Sequence, residues 1–112
     1  MKKVILTALM ISVLGVTASM ADIKKGKSFY MKKLKSRMGN MNGMKFVSMH
    51  TAQEWNELFE DDAEGFVEAF TQQFPKSSKV LASKRFKKRA TDVRDFAVEF
   101  ASDSGNVLSC GD

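Results

Sequence analysis

Apolar residues recur every three or four positions through most of the chain beyond residue 21, and no stretch alternates apolar with polar positions as a half-buried strand does. The pattern predicts an all-α protein with four helical segments. The first runs from about Asp22 to Met38, with Ile23, Tyr30, Leu34 and Met38 on one face and Gly39 placed to end it. The second starts at Thr51-Ala52-Gln53-Glu54, a capping-box pattern in which the hydroxyl and the carboxylate satisfy free backbone N–H groups; Trp55, Leu58 and Phe59 form its buried side. The third is capped by Asp61 or Asp62 and carries Phe66, Phe70 and Phe74 beside Val67, until Pro75 interrupts the hydrogen-bond ladder. The fourth starts near Ser83 and repeats Phe86, Ala90, Val93, Ala97 and Phe100, with Gly105 just past its end.

The intervening segments read as connections. Residues 39–50 contain Gly39-Asn40 and Asn42-Gly43, dipeptides that favour turns, so a loop is expected there. A polar connector, Lys76-Ser77-Ser78-Lys79, leads through Val80 and Leu81 to the last helix, and residues 106–112 read as a flexible tail. Residues 22–105 form a single helical domain in this reading.

Ahead of that domain stand Lys2 and Lys3, an apolar run from Val4 to Val16, and the small residues of Ser19-Met20-Ala21. This is the pattern of a Sec-type signal peptide over residues 1–21, cleaved after Ala21, and it implies a periplasmic or secreted protein. The alternative, an uncleaved anchor, falls short because thirteen apolar residues do not reach the roughly twenty that span a bilayer. No integral membrane segment then remains after cleavage, and no cysteine follows the signal to carry a lipid.

Without residues 1–21 the chain has 91 residues and retains all nine phenylalanines together with Trp55 and Tyr30, enough large rings for a core without staples. Cys110 is the only cysteine, so no disulfide can form within one chain. Two of the 18 basic residues leave with the signal, so 16 stand against 13 acidic ones and the mature charge is +3. This balance suits attraction to an acidic periplasmic protein or an anionic surface. Nucleic acid is set aside as a partner for an exported protein.

The segment Ala21-Asp22-Ile23-Lys24-Lys25-Gly26-Lys27-Ser28-Phe29-Tyr30 resembles the first helix of class I cytochromes c, and Val93-Arg94-Asp95-Phe96-Ala97-Val98-Glu99-Phe100 resembles their last. The resemblance implies that Gly26 and Tyr30 meet Phe96 and Phe100 where two terminal helices cross. The expected fold is thus cytochrome-c-like or a generic four-helix orthogonal bundle. In the family a Cys-x-x-Cys-His box follows the aromatic and tethers the haem. This chain has Leu34, Arg37 and Met38 at those places, so no thioether can form there. Nothing marks His50 and a methionine as ligands of a non-covalent haem.

The five methionines beyond residue 21, Met31, Met38, Met41, Met44 and Met49, fall within nineteen residues, and Met49 adjoins His50. Thioethers are soft ligands that select Cu(I) and need no deprotonation, so Met38, Met41, Met44, Met49 and His50 are a candidate copper site. The bland alternative is that they fill gaps in the core.

Lys84, Arg85, Lys87, Lys88 and Arg89 crowd the start of the last helix. They form either a solvated face or a docking patch for an acidic partner. Asp61, Asp62 and Glu64 are helix-start charges. One histidine and one cysteine assemble no familiar catalytic constellation, and no enzymatic activity is expected. Cys110, an odd thiol in an oxidising compartment, is a candidate for an intermolecular disulfide, including a disulfide-linked dimer.

Overall fold

The computed structural model describes residues 19–108. Regular structure there is helical throughout, with six α-helices and no strand among the described residues. Helix α1, Met20–Phe29, starts on Ser19, whose hydroxyl accepts the Asp22 N–H at 3.1 Å. It continues through a π-helical turn, Tyr30–Leu34, and a 3-10 turn, Lys35–Arg37. The expected first helix is thus present but not uniformly wound. The wider turn lowers the rotation per residue, which keeps Tyr30, Leu34 and Met38, four residues apart, on the fully buried side. Gly39 ends the run at φ 69°, followed by Asn40 at φ 56°.

The loop expected over residues 39–50 instead contains a buried helix, α2, Gly43–Val47. Asn42 is extended, at φ −66° and ψ 164°, and its side-chain oxygen accepts the Lys45 N–H at 2.8 Å. The Asn-Gly pair therefore acts as a helix start, because the two apolar residues behind it, Phe46 and Val47, are drawn wholly into the core.

Helix α3, Ala52–Leu58, carries the capping box: the Glu54 N–H donates to the Thr51 hydroxyl at 3.2 Å, and the Thr51 N–H to the Glu54 carboxylate at 3.0 Å. Helix α4, Glu60–Gln73, does not start on an aspartate cap. Asp61, Asp62 and Ala63 have φ of 52°, 60° and 64°, a left-handed turn that kinks the chain, and neither aspartate side chain bonds to the backbone beyond it. That turn leaves Phe59 stacked on Phe66 at 4.5 Å, a contact that helps offset the backbone strain.

After Pro75–Ser77, a 3-10 turn, the end of the polar connector and the Val80 and Leu81 that follow it form α5, Ser78–Leu81. Ser77 is fully buried and donates to the Phe74 carbonyl at 2.7 Å. Helix α6, Lys84–Glu99, begins on Ser83, which accepts the Phe86 N–H at 3.2 Å. Beyond it, the Asn106 side chain donates to the Glu99 carbonyl at 3.0 Å, and a methyl of Leu108 lies over Gly43.

The core is a continuous set of rings. Tyr30 stacks on Phe46 at 4.2 Å, Phe46 meets Trp55 at 5.1 Å, and Phe66 stacks on Phe70 at 4.4 Å and on Phe86 at 5.7 Å. Both polar tips in it are satisfied: the Trp55 N–H donates to the Val47 carbonyl at 2.9 Å, and the Tyr30 hydroxyl to that of Met41 at 2.5 Å. Helix α1 lies directly on α6 at Gly26, where a Cβ would stand 2.0 Å from the Asp92 carbonyl oxygen and 2.9 Å from the Phe96 Cβ. Glycine there lets two backbones approach more closely than any side chain allows.

Candidate functional site

A positively charged concavity is assembled from segments distant in sequence. Lys33 lies in the π-helical turn and Arg37 in the 3-10 turn that follows. Four residues apart on one continuous rod, they project to the same side. Lys79 comes from α5 and Arg85 from the first turn of α6. With Phe29, Val80 and Ser83 these four cations line a cleft of about 420 Å³ into which no acidic side chain enters. None of the four has an ion pair among the described residues.

Arg85 joins this cleft to the basic run. Lys84, Arg85, Lys87, Lys88 and Arg89 are all exposed, and only Arg89 has an acidic partner among the described residues, Asp92 at 3.3 Å. Sequence reasoning found the run but missed Lys33, Arg37 and Lys79. The available signal was the four-residue spacing of Lys33 and Arg37, which border the apolar stripe of the first helix.

A second charge cluster lies at the helix crossing. Carboxylate oxygens of Asp22, Asp92 and Asp95 stand within 4.8 Å of one another. Asp95, largely buried, accepts two bonds from the Arg94 guanidinium at 3.0 and 3.2 Å, and Asp92 pairs with Arg89. The guanidiniums account for two of the three negative charges.

The crossing residues named from the sequence lie near one another. Gly26 faces Asp92 and Phe96, Tyr30 and Phe96 have ring centroids 6.5 Å apart, and Phe96 meets Phe100 edge-on at 6.0 Å. Burial pushes the Tyr30 phenol well above its ordinary range, since an ionised oxygen there would have little solvent. At the haem-box positions, Leu34 and Met38 are core residues and Arg37 lines the basic cleft.

Among the candidate copper ligands, Met38 is completely buried, while Met41, Met44 and Met49 are half-buried against the same core. His50 sits edge-on to Trp55 at 4.9 Å, with Nδ1 3.2 Å from the Glu54 carboxylate. The Thr51 N–H and then His50 hold Glu54 below its ordinary carboxylate range. Cys110 and residues 1–18 of the expected signal lie outside the described residues.

Two further clefts flank α4, one of about 230 Å³ lined by Phe59, Asp62, Lys87 and Arg94, the other of about 540 Å³ with Asp61, Asp62, Glu64 and Glu68 at its rim. No described helix is long and apolar enough to cross a membrane. Comparison with protein-family models, with curated proteins and with solved structures finds no match.

Proposed function

We propose that this chain is an exported, non-enzymatic binding module on a cytochrome-c-like helical scaffold, docking an acidic periplasmic protein through the basic face of α6. The carrying observation is that Lys84, Arg85, Lys87 and Lys88 are exposed and without acidic partners among the described residues. Such a patch speeds encounter with an acidic surface by long-range attraction. The close α1–α6 crossing supplies a rigid base for it.

Export is part of the proposal. Cleavage after Ala21 would remove the Ser19 cap, a loss of about 1 kcal/mol. Intact mass of protein recovered from the periplasm should correspond to a chain beginning at Asp22. A mass retaining residues 1–21 would remove the export part of the reading.

Docking is tested by crosslinking in the periplasm, comparing the wild type with a Lys84→Glu, Lys87→Glu, Lys88→Glu variant and with a Lys24→Glu, Lys25→Glu control. The expected result is one acidic crosslinked species, lost in the triple variant and at high salt and kept in the control. A pattern unchanged by reversing three charges refutes docking by this face.

A further inference from the structure

The basic run explains docking of a broad surface but not the concave site beside it. Lys33, Arg37, Lys79 and Arg85 line one cleft of about 420 Å³ from four different elements. Four like charges around one cleft with no lining carboxylate repel one another, and a bound anion would relieve that repulsion. We propose that this cleft is a phosphate-binding site, in which these four residues hold the dianionic group of a phosphomonoester.

The proposal deepens the reading of a binding module with a basic face and names the chemistry that one part of that face recognises. Three features select phosphate over the carboxylates of a protein surface. The cleft is concave and too small to admit a helix or strand, whereas a phosphate group and a short organic substituent fit a space of this size. Two guanidiniums and two ammonium groups offer more donors than one carboxylate can accept, while a phosphomonoester presents three terminal oxygens and about two negative charges. Finally, α6 begins at the cleft edge after Ser83, so the positive end of a 16-residue helix reinforces the side chains. Phe29 and Val80 give the wall an apolar portion for the rest of the ester.

The test is a titration of the exported protein with inorganic phosphate at constant ionic strength, chloride being exchanged for phosphate, followed by two-dimensional amide NMR. Saturable shifts are expected at Lys33, Arg37, Lys79 and the start of α6. Arg37→Ala or Arg85→Ala, both at exposed positions, should each weaken binding by roughly tenfold, as expected for loss of a charge-assisted hydrogen bond. Lys87→Ala and Lys88→Ala, outside the cleft, should leave it within about twofold.

A second arm identifies the source. Co-sedimentation with phosphatidylcholine vesicles containing phosphatidic acid, and not with phosphatidylcholine alone, assigns the site to a lipid headgroup; phosphate binding without vesicle binding assigns it to a soluble ester. Shifts that do not saturate, that chloride reproduces, or that the cleft substitutions leave unchanged overturn the proposal. Loss of phosphate binding with crosslinking intact would sink this inference alone, and the reverse pattern would sink the docking reading alone.

Discussion

Replacing Gly26 with alanine probes the contact on which the scaffold depends. Alanine favours a helix over glycine by about 1 kcal/mol, so on local grounds alone the change would stabilise α1. The structure reverses that sign. The added methyl would lie 2.0 Å from the Asp92 oxygen, 2.5 Å from its carbonyl carbon and 2.9 Å from the Phe96 Cβ, against an ordinary contact starting near 3.4 Å. The helices must part by about 1.4 Å, because the nearest atoms are backbone and no rotamer change relieves them.

Separation loosens the packing of Phe96 and Val93, both fully buried. Placing the clash at the upper end of overpacking costs, about 3–4 kcal/mol, leaves a net loss of about 2–3 kcal/mol after the propensity gain. At roughly 4–8 °C per kcal/mol for a domain of this size, the midpoint should fall by about 10–20 °C. Thermal melts followed by circular dichroism at 222 nm measure it. Gly39→Ala is the control: that residue has φ 69° and open space around it, so the change costs only about 1–2 kcal/mol of left-handed strain. A Gly26→Ala protein melting at or above the wild type would refute the close crossing.

Three other outcomes follow from the geometry. Asp62→Gly should raise stability by about 0.5–1 kcal/mol in urea unfolding, because glycine relieves a φ of 60° at an exposed position; a lower midpoint would mean that the aspartate holds the turn in some other way. Glu54 has a lowered folded-state pKa, so its contribution is complete above the unfolded value and is lost as pH falls through the folded one. The stability gap between wild type and Glu54→Gln should accordingly be present near neutrality and close in acid, and a pH-independent gap would contradict the capping-box assignment. Against a Cu(I) chromophore the protein should withdraw no metal at equimolar concentration, since the Met38 side chain is buried in the core and His50 is engaged with Glu54; tight withdrawal would refute this and support the Met-rich segment as a copper site.

The local regularities of the chain were legible without coordinates. Three-four spacing of apolar residues determined the all-α class, the buried stripe of the first helix and the aromatic rows of α4 and α6. Thr51 and Glu54 carried their capping box in plain view, because both partners lie within one helical turn and the bond depends on little else.

What failed was the reading of polar segments by composition. Asn42-Gly43 has the chemistry of a turn and also that of a helix start, and only the burial of Phe46 and Val47 chose between them. The same applies to Asp61 and Asp62, where packing of Phe59 on Phe66 accompanies a left-handed kink in place of a cap. The basic cleft belongs wholly to the tertiary structure. Lys33 and Arg37 are separated from Lys79 and Arg85 by more than forty residues, and periodicity reports which side of one helix is polar, not which polar sides come to face each other. That pairing is decided by the apolar surfaces beneath, whose shapes depend on the whole chain at once.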